Sequence, residues 1–450
     1  MSKARFSVLV FAGLLVAAIA WLGLGRHGDD GPTPPTMLDL STQIARGEYL
    51  ARAGNCSGCH SARGGDAFAG GKPIETPFGT VYASNLTRDD VTGLGRWDAT
   101  DFWNAMHHGR SRDGRLLTPA FPFTNMTRVT REDSDAIFAW LQTLPAVSNQ
   151  PPANTLPFPL NTQAAMVVWR ALNFRPGVEP PKPERSKLWN QGAYLVRGLG
   201  HCEACHAPHN LLGAVVSSQF TSPQFTSPLF ASPSLTSPSL TSDPLQSSLV
   251  GGWLPGGDWY APSLQSTIEA GVASWSTEEI IALLRDGRHE HATVSGPMAK
   301  VVLNSTQWLT PEDLLAVATY LQSLPPIESP PRKTPLSDSA RSVGQPLYEK
   351  HCADCHGITG NGESGRYPAL AGNRAVTLPV AANVVQVVMH GGYAPGTVGN
   401  PRPYGMAPYA PLLSDAEVAA VVSYIRGSWG NTAAAVDTQA VGRFRRLRAD

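Results

Sequence analysis

The chain has 450 residues, length enough for about two to four domains, and its 42% hydrophobic content fits globular cores and not a disordered polymer. Its 35 basic and 35 acidic residues cancel, which excludes a whole-molecule field that would draw it to nucleic acid or to an acidic substrate. Its partners must therefore be read from local sites.

At the amino terminus Lys3 and Arg5 precede an uncharged run from Phe6 to Gly25, followed by Arg26, His27, Asp29 and Asp30. Twenty helical residues span about 30 Å, roughly a hydrocarbon core, whereas a cleaved signal has ~7–15 apolar residues. Residues 1–25 are expected to be a retained membrane anchor, with cleavage near Ala17, Ala18 or Ala20 as the alternative. The basic residues ahead of the run place the chain beyond Arg26 on the exported, periplasmic side of an inner membrane.

Beyond this segment the chain repeats itself three times. The first unit, 38–150, opens with RGEYLARAGNC (46–56) and closes with TREDSDAIFAWLQTLP (130–145). Thr130 reads as an N-cap with acidic residues behind it, and the apolar residues after it have helical spacing. Between them FWNAMHHGR (102–110) predicts a short helix stopped by glycine. Proline-rich stretches at 145–159 and 175–184 favour extended connection, and TQAAMVVWRALNF (162–174) between them predicts a helix packing across a unit boundary.

The second unit, 185–325, opens with QGAYLVRGLGHC, has a glycine-stopped helix IIALLRDGR (280–288), and closes with TPEDLLAVATYLQSLP. It alone carries a Ser/Pro-rich insertion, 217–244, with one charge in 28 residues, in which helix and central strand are both disfavoured. The third, 337–432, runs from VGQPLYEKHC through VVQVVMHGG (384–392) to SDAEVAAVVSYIRGSW (414–429). The basic run RFRRLR (443–448) reads as a solvated chain end, or else as a patch for anionic lipid. An all-α fold of three small helical domains is expected.

All six cysteines fall in one pentapeptide pattern: Cys56 and Cys59 before His60, Cys202 and Cys205 before His206, Cys352 and Cys355 before His356. In an exported protein two cysteines at this spacing add to the vinyl groups of one haem, and the adjacent histidine reaches its iron: the pattern is a haem c attachment signal. Four-cysteine zinc sites could form only between units, and thioredoxin-like chemistry would need a βαβ setting that these helical flanks do not offer. Three covalent haems are expected, with His60, His206 and His356 as proximal ligands.

The group opposite each histidine sets potential and reactivity. Met298 lies eleven residues after Gly287, and Met406 fifteen after Gly391, each in a loop ahead of a closing helix. Both are expected to be distal ligands, with Met389 placed in the core. In the first unit Phe121 stands where a methionine is expected, so three alternatives stay open: Met126 in PAFPFTNMT, one of His107 and His108 near an exposed helix end, or an open iron. Met106 is expected in the core.

The stretches WNQGAYLVRGLGHCEACHAPHN, GPMAKVVLNSTQWLTPEDLLAVATYLQSLP, HCADCHGITGNGESGRYPALAGN and MAPYAPLLSDAEVAAVVSYIRGSWGN carry a resemblance over residues 40–432. The chain resembles the three-haem cytochrome c subunits of membrane-bound bacterial dehydrogenases for alcohol, gluconate, sorbitol or aldehydes. That resemblance implies class I cytochrome c domains and a separate catalytic subunit of flavin, quinone or molybdenum type. It also implies an acceptor that is a quinone, a soluble cytochrome or an oxidase. In that family the first distal loop reads Pro-Ala-Met-Pro-Tyr, whose methionine would fall on Phe121. No dinucleotide fingerprint is visible, so the chain is expected to relay electrons without oxidising substrate itself. The alternative is a haem enzyme acting on a small ligand at an open first iron.

Overall fold

The computed structural model describes residues 39–216, 249–290, 292–328 and 336–446. The expected anchor, 1–25, and the Ser/Pro-rich insertion, 217–244, lie outside the described residues. Among those described, no helix is long and apolar enough to cross a membrane.

One helix crossing occurs three times. Leu40–Ala53 packs on Arg131–Leu141, Lys187–Tyr194 on Pro311–Gln322, and Asp338–His351 on Asp415–Gly427. Each closing helix starts where a hydroxyl caps it: the Thr130, Thr310 and Ser414 side chains accept from the main-chain N–H of Asp133, Asp313 and Glu417. Loss of such a cap costs about 1 kcal/mol.

A glycine permits each crossing. A Cβ added at Gly47 would stand 1.9 Å from the Ala136 carbonyl oxygen, one at Gly192 2.0 Å from that of Ala316, and one at Gly344 2.4 Å from that of Ala420. The backbones touch, so only a residue without a side chain fits. Nine positions separate Gly47 from Cys56 but ten separate Gly192 from Cys202. The second opening helix absorbs the extra residue as a π-helical turn, Leu195–Leu199, as single insertions into helices commonly are.

Three main cores follow the three crossings. One gathers Leu50, Phe102, Met106, Met126, Ile137 and Leu141, and takes in Leu199 from the second unit. A second is built on Trp189, Leu195, Val317 and Tyr320. The third holds Tyr348, Val385, Met389, Val422 and Ile425. Met106 and Met389 are therefore core residues. A smaller cluster of Phe123, Trp169, Phe174 and Ala214 forms around the helix Gln163–Asn173. That helix bridges units: Gln163 Oε1 accepts from Leu116 N, and Trp169 Nε1 donates to the Leu212 carbonyl.

The first two units exchange contacts reciprocally. Tyr194 donates to Asp133 at 2.6 Å and its hydroxyl oxygen accepts from Thr130 N, while Tyr49 donates to Asp313 and accepts from Thr310 N. Each tyrosine lies two residues after its crossing glycine and caps the other unit's closing helix. Tyr194→Phe leaves a buried carboxylate oxygen and a cap N–H short of a partner, and should lower unfolding free energy by about 1–3 kcal/mol in denaturant titration. The third unit attaches differently. Asn383 donates to the Tyr260 carbonyl at 2.7 Å and accepts from Tyr260 N at 2.9 Å, as a third strand would.

Two features depart from the expected picture. Among the described residues the helical fold also contains four two-stranded antiparallel ribbons, pairing Pro73–Thr76 with Gly79–Tyr82 and, in the later units, pairs of two residues each. The basic run near 443 is no solvated end: Thr438–Arg446 is a helix that buries Val441 and Phe444 in the third core. Arg445 there pairs with Asp415 at 2.5 Å and donates to the Ala410 and Leu413 carbonyls. Apolar residues three apart dock the helix, while Arg443 is exposed and Arg445 grips main-chain oxygens.

Candidate haem-attachment sites

Each cysteine pair sits on one helical turn at the end of an opening helix: Cys56–His60, Glu203–His206 with Cys202 as its cap, and Ala353–His356 with Cys352 as its cap. The turn brings the histidine round to the side of the thiols. None of the six cysteines is in a disulfide. Burial pushes the Cys56 and Cys202 thiols up to about 12 and Cys352 to about 11, so they are held as neutral thiols. Burial, and in lesser part the neighbouring Cys59 thiol, pushes Cys205 up to about 11. His201, next to Cys202, has Nε2 3.3 Å from the Gly54 carbonyl two residues ahead of Cys56, so the first two cysteine turns stand side by side.

The three histidines share one arrangement. Nδ1 of His60 lies 2.7 Å from the Ser84 carbonyl, Nδ1 of His206 2.8 Å from that of Pro262, and Nδ1 of His356 2.9 Å from that of Pro368. A carbonyl oxygen has no proton to give, so Nδ1 carries the hydrogen and Nε2 keeps its lone pair. Burial lowers the pKa of all three rings, which favours that neutral, ligating form. An N–H anchored to a carbonyl fixes the tautomer and ring plane of a metal-binding histidine and raises its basicity. Two thiols and one such imidazole on a single turn fit a haem attached covalently through both cysteines.

The segments carrying the three methionines differ. Met126 ends the short helix Phe123–Met126 and is buried in the same cluster as Cys56 and Phe121. Met298 lies not in a loop but in the first turn of the helix Gly296–Asn304, where Pro297 with its fixed φ starts the turn. Gly296, at φ 53°, has the Trp259 indole against it. Met406, also expected in a loop, pairs with Gly392 in the ribbon Gly392–Tyr393/Gly405–Met406. Phe121 packs between two apolar clusters.

The three glycine-stopped helices are present, Ala99–His108, Thr277–Asp286 and Ala382–His390, ended by Gly109, Gly287 and Gly391 at φ 56°, 72° and 65°. The end of the first is not the exposed corner expected for its histidines. His107 is fully buried, stacked on Trp103 with ring centroids 4.3 Å apart, and Nδ1 lies 3.5 Å from Thr127 Oγ1. This imidazole belongs to the packing of its own helix.

The sequence model of the cytochrome c family matches residues 44–145 and 342–429. The chain is 34% identical over 419 residues to the cytochrome c subunit of a quinone alcohol dehydrogenase from Gluconacetobacter polyoxogenes, covering 89% of this chain and 83% of that one. The chain belongs to the cytochrome c subunits of membrane dehydrogenases. It is likewise 33% identical to the gluconate 2-dehydrogenase cytochrome c subunit of Pantoea cypripedii, over 88% of this chain and 87% of that subunit. It is 36% identical to one subunit of the nicotinate dehydrogenase of Pseudomonas putida, over 92% of this chain but 32% of that longer protein.

As a cytochrome c subunit, the chain uses residues that its sequence did not announce. The Ser84, Pro262 and Pro368 carbonyls follow their histidines by 24, 56 and 12 residues, and a main-chain acceptor leaves no mark on residue type. Another missed group is Glu203. It stands between Cys202 and Cys205 and is buried, 3.0 Å from the Arg128 guanidinium of the first unit and 3.6 Å from that of Arg197. A carboxylate inside an attachment motif is a signal that could have been followed.

Proposed function

We propose that this cytochrome c subunit carries three haems on three domains, 38–150, 185–325 and 337–432, and passes electrons from a dehydrogenase partner to an acceptor. The observation that carries the reading is the arrangement found three times: a cysteine pair and histidine on one turn, with Nδ1–H held by a main-chain carbonyl. In this reading Cys56 and Cys59, Cys202 and Cys205, and Cys352 and Cys355 bind the haems. His60, His206 and His356 ligate from one side, and Met126, Met298 and Met406 from the other. The haems would supply one-electron redox chemistry. The polypeptide fixes the histidine tautomer and sets the first two attachment sites side by side.

The partner is a catalytic subunit of flavin, quinone or molybdenum type, in keeping with relatives named for alcohol, gluconate and nicotinate dehydrogenases. The acceptor is a quinone, a soluble cytochrome or a terminal oxidase. Residues 1–25 hold the chain at the periplasmic face of the inner membrane. Mass spectrometry of the purified protein tests the core of this reading: it should give the polypeptide plus three haems. The oxidised spectrum should be wholly low-spin, with a near-infrared methionine-to-iron band accounting for three irons. A mass of two haems would overturn the count, and a high-spin third would favour the small-ligand reading at the first iron.

The third methionine offers a separate check. A Cβ at Gly391 would lie 2.2 Å from the Met406 carbonyl oxygen, and the φ of 65° already disfavours any other residue. Gly391→Ala should therefore displace Met406 and remove about a third of the near-infrared band while three haems stay attached. An unchanged band would take Met406 off the iron.

A further inference from the structure

The Met126 side chain has no strong hydrogen-bonding group to anchor it, and the residues around it are held by the second unit and by the linker that precedes it. Asn125 Nδ2 donates to the Arg197 carbonyl at 3.0 Å, and Arg128 donates to the same carbonyl at 2.9 Å. Thr127 Oγ1 accepts from Gly177 N at 3.0 Å, and the Arg128 carbonyl accepts from Glu179 N at 3.1 Å. Arg128 reaches further, to Glu203 at 3.0 Å and Glu179 at 3.4 Å, while Arg197 pairs with Glu179 at 2.5 Å and with Glu203 at 3.6 Å. Two guanidinium groups and two carboxylates thus alternate, all largely buried, between the segment carrying Met126 and the attachment turn of the second unit.

Glu203 gives this quartet its meaning, because it lies between Cys202 and Cys205. The turn that would hold the second haem is therefore in direct ionic contact with the segment that would ligate the first. Buried pairs are poor sources of net stability but strongly favour one geometry, since separating them strands charge away from water. The short tether from Met126 to the closing helix, whose cap is Thr130, leaves little slack, and the quartet clamps that slack from outside the unit.

We propose that Arg128, Glu203 and Arg197 act as positioning residues that keep Met126 on the first iron, so that the distal side of the first haem is set by the attachment turn of the second. The proposal rests on the reading of Met126 as the first distal ligand. Its consequence is a gate: disturbing the second attachment turn opens the first iron to external ligands, while its own histidine and thioethers stay in place.

The test uses the full chain with its three haems and carbon monoxide as the probe, which binds a reduced haem only where the distal ligand leaves. Glu203→Gln removes one charge of the quartet. Asn125→Ala leaves all four charges and removes one clamp, and so serves if the first variant folds poorly. Both should keep three attached haems and bind carbon monoxide at one haem at least about tenfold faster than the parent, toward the rate of Met126→Ala. A purely structural role would lower the melting temperature without changing that rate. Carbon monoxide binding at the parental rate in both variants, with fast binding in Met126→Ala, would overturn the clamp and leave the ligand reading intact. Parental binding in Met126→Ala would remove Met126 from the iron, and the clamp with it.

Discussion

Met126→Ala is expected to convert one haem of three from low-spin to high-spin, with all three still covalently attached. The side chain is buried in the core that also takes in Cys56, and His107, one of the two rival imidazoles, is fully buried and stacked on Trp103. Alanine would also vacate core volume, costing about 2–5 kcal/mol. The measurement must therefore separate ligation from packing. Met126→Leu keeps most of the volume and should show the same spin change with a much smaller loss of stability. A spectrum identical to the parent in both variants would mean that another group, or none, completes the first iron.

Gly344→Val should have the second large effect, at least about 3 kcal/mol of destabilisation confined to the third unit. A Cβ at this site would lie 2.4 Å from the Ala420 carbonyl oxygen and 2.7 Å from Tyr424 Cβ. Two main chains would have to part to admit it. The third unit shares neither the reciprocal tyrosines nor the buried ionic quartet, so residues 336–446 should become sensitive to protease while the first two units stay resistant. Gly177→Ala, where an added Cβ meets nothing within 4 Å, is the control and should melt with the parent. If the two variants melt together, the close crossing is not what holds the helices.

Much of this architecture is legible in the residues because local chemistry sets it. Thr130, Thr310 and Ser414 cap the closing helices as their side chains predict, and Gly109, Gly287 and Gly391 end the middle helices at positive φ because little else can. The cysteine and histidine spacing is chemical before it is structural. Tertiary contacts decided the rest. Met298 and Met406 read as loop residues because a nine-residue helix and a two-residue ribbon carry little periodicity. The terminal helix was hidden by its arginines, although Val441 and Phe444 are spaced for one apolar face. The carbonyls of Ser84, Pro262 and Pro368 had no signature at all.

The exchange of Tyr49 with Asp313 and of Tyr194 with Asp133 has a further implication. A contact in which one partner's tyrosine meets the other's aspartate, and the reverse, is what two-fold association produces between identical subunits. The first two units carry such an isologous interface inside a single polypeptide, as a duplicated gene would if it fused two subunits already paired. Their mutual recognition is then written in the helices as well as in the linker. Two separately expressed halves, cut in the proline-rich stretch near residue 150, should find each other in solution as a heterodimer.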